Sequence, residues 1–282
     1  MADHPSVPGE LNDDVTEDGV FQVVRDGYDA VYDALPQGKT FGRIWRDNAY
    51  RGEFPDEFAH IGFLTLSEAQ WMLAALELKA GEVLVDLACG AGGPGLWAAR
   101  ESGATLIGVD PATAGLATAT ERARSVGLDE RASFQQGTFE RTGLPDATAD
   151  AAMTIEAFQY APDKQAAVQE FFRILKPGGR LGIVCFEVDP ARVQGLPVLG
   201  VDPILDYGSL LGNAGFAVDL YEETPGWAER VYTTFRALVD ASDALTSEMG
   251  ERAAAATLSE AMLTVALKPY PRRVLIVARR PA

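Results

Sequence analysis

Residues 83–97 read VLVDLACGAGGPGLW and gather residue types suited to holding a nucleotide. Gly90, Gly92 and Gly95 stand in G-x-G-x-x-G spacing directly after a β-branched run. Between a strand and a helix, such glycines let backbone N–H groups come close to a ligand. Asp86 precedes the first glycine, and Asp110 ends the next apolar run. A carboxylate at Asp110 can accept hydrogen bonds from both hydroxyls of an adenosine ribose. So far NAD and S-adenosylmethionine fit equally well. Asp86 separates them: a carboxylate there repels a pyrophosphate but suits an α-ammonium.

The elements that must position this loop follow from periodicity. Residues 82–88, 104–110, 132–139, 149–158 and 180–187 read as strands. Helices at 94–102, 112–127 and 163–176 alternate with them, the last turning Val168, Phe171, Phe172 and Leu175 inward. Near-continuous apolar strands alternating with helices predict a parallel sheet covered on both faces. A helix at 206–216, a strand at 217–223 and a closing strand at 272–280 extend the sheet. Residues 21–36 and 65–78 read as helices outside this block, the second opened by a capping box of Ser67 with Gln70. Residues 227–267 read as two further helices, with Val231, Phe235, Leu238 and then Leu258, Met262, Val265 at helical spacing. These outer helices are expected to cap the sheet's carboxyl edge, where open α/β sheets bind ligands. Residues 1–20 are acidic and broken by proline and glycine, and are expected to be a mobile tail.

The 24 basic and 41 acidic residues give a formal net charge of −17, which argues against nucleic-acid binding. Cys89 and Cys185 make no disulfide framework, and the two histidines, His4 and His60, form no metal-ligand cluster, so no metal is expected. No apolar run is long enough to span a bilayer. The first residues have neither a basic nor an apolar signal segment, so a cytoplasmic protein is expected.

Taken in order, VLVDLACGAGGPG, GVDPA, GTFERTGLPDATADAAMTIEAFQYAPD and RILKPGGRLGI resemble the class I S-adenosylmethionine-dependent methyltransferases, in their small-molecule, natural-product branch. The resemblance covers about residues 82–187. It implies an α/β, Rossmann-like class I methyltransferase fold: a seven-stranded, mostly parallel sheet with an antiparallel last strand, plus a helical cap. The expected organisation is a tail at 1–20, a helical N-terminal lid at 21–80 and a core at 81–282 with a cap insertion at about 227–268. The implied activity is transfer of a methyl group to O, N or C of a small-molecule acceptor of specialised metabolism. S-adenosylhomocysteine would be the product. Partners other than the acceptor, whether nucleic acid or membrane, are not implied, and there is room for a homodimer. Two rivals share the fold: a non-methylating reaction such as cyclisation or decarboxylation, and a non-catalytic binding module.

The resemblance also distributes roles. The loop from Asp86 through Ala88, Cys89, Gly90 and Gly92 would wrap the methionine moiety. Asp110 would hold the ribose, with Pro111 against the adenine. Thr138 replaces the family's usual aspartate at the adenine edge, so its hydroxyl bonds without charge assistance; Phe139 beside it either stacks on adenine or packs in the core. Glu156 would face the cofactor's amino end. In the lead-in FGRIWRDNAYRGEFPDEFAHIGFLTL, the element His60-Ile61-Gly62-Phe63 would close over the methionine end, and Trp45 and Phe63 would line the sulfonium pocket. Many relatives carry a histidine after the fourth strand, where this chain has Tyr160. His60, Tyr160 and Glu187 are therefore the candidate catalytic residues, with Tyr28 beside them; each also has a purely structural reading.

Overall fold

The computed structural model describes residues 17–196 and 198–282; the greater part of the expected acidic tail lies outside the described residues. In the lead-in come α1 (Glu17–Ala34), α2 (Lys39–Ile44), a wide turn (Trp45–Ala49) and α3 (Leu66–Leu76). The alternating block is β1 (Val83–Leu87), α4 (Gly93–Ser102), β2 (Thr105–Asp110), α5 (Thr113–Ser125), β3 (Ala132–Gln136), β4 (Ala149–Ile155), α6 (Lys164–Ile174) and β5 (Leu175–Phe186). There follow α7 (Pro190–Val193), α8 (Tyr207–Asn213), β6 (Ala217–Glu223), α9 (Trp227–Asp240), α10 (Ser242–Met249), α11 (Glu251–Leu267) and β7 (Arg273–Arg279).

The seven strands form one sheet in the order β3-β2-β1-β4-β5-β7-β6. β7 runs antiparallel to both of its neighbours, and the pairings among β1 to β5 are parallel. This is the expected fold. The apolar runs in β1, β4 and β5 are buried because helices cover both faces: Leu84, Met153 and Val184 pack with one layer and Val85, Ala152 and Ile183 with the other. Chain order reverses between β1 and β4, which opens a crevice at their carboxyl ends.

Three local expectations need correction. The box that opens α3 is Thr65 with Glu68, not Ser67 with Gln70: the Thr65 hydroxyl accepts from the Glu68 amide and the Glu68 carboxylate from the Thr65 amide. Residues 227–267 make three helices, because the chain breaks at Ala241 and again at Gly250. α11 does not bury Met262, which is 51% exposed. Its inner face is Ala253, Ala254, Ala261 and Thr264, small residues that let α11 lie close along α1 and α9.

A buried charge cluster ties the cap to the sheet. Arg273, fully buried on β7, donates from Nε to Glu156 at 2.5 Å and from Nη1 to Glu68 at 3.0 Å and to Thr224 at 2.7 Å. Arg230 on α9 donates to the same Glu68 oxygen at 2.6 Å. Two guanidiniums thus face two carboxylates, and elements far apart in sequence meet at one point.

Candidate functional site

A cavity of about 760 Å³ lies at the carboxyl edge, beneath α1, α2, α9 and α11. That volume suits a small organic ligand. At its floor β1 runs into the glycine loop. Asp86, next to last in the strand and 2% exposed, packs on Gly95: a Cβ on Gly95 would stand 2.4 Å from Asp86 Oδ2. The third glycine of the spacing therefore clears room for the first acid. Burial, and then the neighbouring Asp110, push the Asp86 carboxyl well above its ordinary value. Ala88 turns the chain with φ of 59°, a left-handed conformation costly for a residue with a Cβ.

Asp110 lines the cavity from the end of β2. Its Oδ2 accepts from the Gly90 amide and its Oδ1 from the Ala112 amide, both at 2.7 Å. Those bonds anchor the loop and leave one lone pair on each oxygen. Burial is the largest influence on Asp110 and brings its carboxyl up to about 6, against the lowering effect of the two amides.

Ala88, Cys89 and Pro111 line the cavity; Gly90 and Gly92 shape the loop from behind. Over Gly90 stands Tyr32 of α1, whose Oη lies 2.0 Å from where a Cβ would be. Asp29 fixes α1 there by accepting from the Ala114 amide at 2.9 Å. Thr138 and Phe139 line the far wall; the Thr138 hydroxyl accepts from the Arg141 amide at 3.1 Å, and Phe139 meets Phe158 and Phe171 edge-on. Trp45 is sandwiched between Phe41 and Phe63, with ring centroids 5.2 and 5.3 Å away, and donates to the Gly62 carbonyl at 3.0 Å. These rings make one apolar, electron-rich wall.

The candidate catalytic residues separate. His60 lines the cavity, but its Nδ1 accepts from the Gly62 amide and its ring is wedged between Tyr50 and Phe54. Burial, then the Arg122 charge, lower it to about 3, so the ring is neutral and a weak proton acceptor. Glu156 touches the cavity, yet both its oxygens are engaged, by Arg273 and by the Phe63 amide at 2.5 Å. It secures the lead-in segment to β4. Glu187, expected on the substrate side, does not line the cavity: it accepts from Tyr221 at 2.7 Å and Arg272 at 3.2 Å on the β6 side. Tyr160 lines the cavity and donates to Glu260 of α11 at 2.7 Å, with Tyr28 edge-on to it.

Sequence reasoning missed Tyr32, Arg122 and Glu260, all in the cavity wall. Tyr32 was within reach, one helical turn beyond Tyr28 on the same face. Glu260 reads as an isolated charge on an alanine-rich helix, and only the packing of α11 turns it inward. Among the described residues no group of three or more His, Cys, Asp or Glu could hold a metal, and no helix is long and apolar enough to cross a membrane.

The residues present fit an adenosine-bearing cofactor with a cationic end: a ribose acceptor at Asp110, acids without a pyrophosphate cradle, and an aromatic wall. Comparison with known proteins agrees. A methyltransferase domain model matches residues 85–183. The methyltransferase GfsG of Streptomyces halstedii is 31% identical over 225 residues, spanning 75% of this chain and 80% of that one. The 27-O-demethylrifamycin SV methyltransferase of Amycolatopsis mediterranei is 28% identical over 219 residues, 72% of this chain and 78% of its own. Among solved structures, the [4+2]-cyclase SpnF superposes with a TM-score of 0.68 at 20% identity, covering 92% of this chain and 95% of that one. At that identity the likeness is one of fold.

Proposed function

Because this chain belongs to the class I S-adenosylmethionine-dependent methyltransferases and transfers methyl to small-molecule acceptors, we propose that its acceptor is an apolar specialised metabolite methylated in the cytoplasm. The observation that carries this is the continuity of the cavity. The same space that begins at Asp86 and Asp110 runs on into walls of Leu196, Leu199, Phe235 and Leu263. An apolar molecule is desolvated there at the end of the donor site, and one relative described above is named for methylation of a small molecule, 27-O-demethylrifamycin SV.

S-adenosylmethionine, when bound, supplies a methyl already activated by its sulfonium, so positioning and exclusion of water are the main tasks left to the protein. In this reading Asp110 accepts from the ribose hydroxyls through its two remaining lone pairs. Asp86 and the Ala88–Cys89 backbone face the methionine end, Pro111, Thr138 and Phe139 border the adenine, and Trp45 and Phe63 wall the reacting end. Glu156 acts at one remove, by holding the Phe63 amide.

Calorimetric titration with S-adenosylmethionine, S-adenosylhomocysteine and NAD tests the donor site: binding of the first two without the third is expected. Incubation with 27-O-demethylrifamycin SV, a panel of apolar alcohols and a matched panel of polar alcohols, read by product mass, tests the acceptor. Strictly polar acceptors alone gaining a methyl would sink the proposal.

A pH dependence follows. Only ionised Asp110 offers full acceptor strength, and burial brings it up to about 6. Protonation as the pH falls through that value removes the charge. Affinity for S-adenosylhomocysteine is therefore expected to fall about tenfold between about pH 7 and pH 5. A flat calorimetric profile over that range would detach the ribose from Asp110.

A further inference from the structure

Among the described residues Glu260 is the one carboxylate that the cap brings into the cavity, and the donor site makes no use of it. It comes from α11, one hundred residues beyond Tyr160, and lines the cavity beside Leu263 and Ser259. Tyr160 donates to its Oε1 at 2.7 Å and leaves Oε2 available. The titratable groups facing it are Tyr28 from α1, Tyr160 from the turn after β4, Tyr270 from the segment after α11, and Glu156 from the end of β4. None of these is a cation, and among the described residues Glu260 forms no ion pair. A carboxylate placed in an apolar chamber without a counter-charge costs folding free energy. Such an arrangement is useful when a ligand brings the missing proton donor.

We propose that Glu260, oriented by Tyr160, accepts the proton of a hydroxyl on the methyl acceptor. This rests on the methyl-transfer reading and adds the acceptor's functional group to it. The acceptor O–H breaks toward Oε2 as its oxygen forms the new O–C bond; the methyl leaves sulfur with the S–C electron pair staying on sulfur. The proton on Glu260 is then lost to solvent when the products leave. The rival base, His60, already spends Nδ1 on the Gly62 amide. Glu260 is also the better base by strength: burial, against the lowering hydrogen bond from Tyr160 and with a smaller push from Glu156, holds its carboxyl above the ordinary range, while His60 is pulled down to about 3.

The test uses 2-naphthol, an apolar hydroxyl compound whose excited state is a strong acid, with naphthalene as its hydroxyl-free control. Each is titrated into the full chain saturated with S-adenosylhomocysteine, with protein in excess for fluorescence. Wild type is expected to bind 2-naphthol about tenfold more tightly than naphthalene, the worth of one hydrogen bond to a charged group, and to show naphtholate emission. Glu260→Gln should lose both the increment and the emission, and Glu260→Asp should restore part of each. Tyr160→Phe keeps the carboxylate but frees its orientation, and should lower the naphtholate fraction severalfold. The proposal is overturned if wild type shows no preference for 2-naphthol, or if Glu260→Gln retains naphtholate emission while still binding S-adenosylhomocysteine. Failure of wild type to bind S-adenosylhomocysteine would instead overturn the donor site.

Discussion

Asp110→Ala is expected to weaken S-adenosylmethionine binding by about 100-fold or more, the loss of two charge-assisted hydrogen bonds to the ribose. The side chain does two jobs at once. Toward the ligand it offers one lone pair on each oxygen. Toward the protein it holds the Gly90 and Ala112 amides at 2.7 Å, and so fixes the glycine loop and the start of α5. Alanine removes both. Asp110→Asn separates them, because the amide oxygen keeps one backbone bond while the charge is lost. Its affinity should fall between wild type and alanine. Calorimetry gives the dissociation constants, and a melting curve in the absence of ligand reports how much of the loss is loop disorder. An alanine variant that binds within a few-fold of wild type would place the ribose elsewhere.

Arg273→Met is expected to destabilise the fold by about 3–5 kcal/mol, the range for breaking a buried ion pair from one side. The guanidinium is fully buried and contacts Glu156, Glu68 and Thr224. Methionine fills much of the volume but leaves Glu156 without its guanidinium, and leaves Arg230 as the ionic partner of Glu68 beside the Thr65 amide. Adding Glu156→Gln should recover part of the loss, since a neutral amide costs less to bury. Chemical denaturation gives the free energies. A single-variant loss below about 1 kcal/mol would mean that water or rearrangement compensates the acids. In this position Glu156 is the link between cap stability and site geometry, because its other oxygen holds the Phe63 amide.

The core was legible because its signals are local. The β-branched runs, the glycine spacing and Asp110 at a strand end each state their role within a few residues, and the parallel sheet follows from alternation. The corrections fall where contacts are distant in sequence. Glu187 directly follows β5, close to its expected place, but the choice of face lies with Tyr221 and Arg272, which the local pattern does not contain. Glu156 reads as an available carboxylate until Arg273, 117 residues away, is seen against it. The inner face of α11 was misread because close packing selected alanine, while the larger Met262 marks the outside. Ser67 lost the capping position to Thr65 because either hydroxyl suits the motif and the helix start is set by packing.

The cavity has a floor and a roof of different origin. Its floor is made at the strand ends of the sheet, and its roof by α1, α2, α9 and α11 resting on that sheet. Leu263, 39% exposed, borders the acceptor space from the surface, whereas Phe235, 2% exposed, belongs to the buried core. Exchanging Leu263 costs little folding free energy and leaves the Asp86 and Asp110 contacts untouched. Acceptor choice and donor binding are thus separable traits: a lineage, or an engineer, can retune the first by surface-grade substitutions in the roof while inheriting the second unchanged.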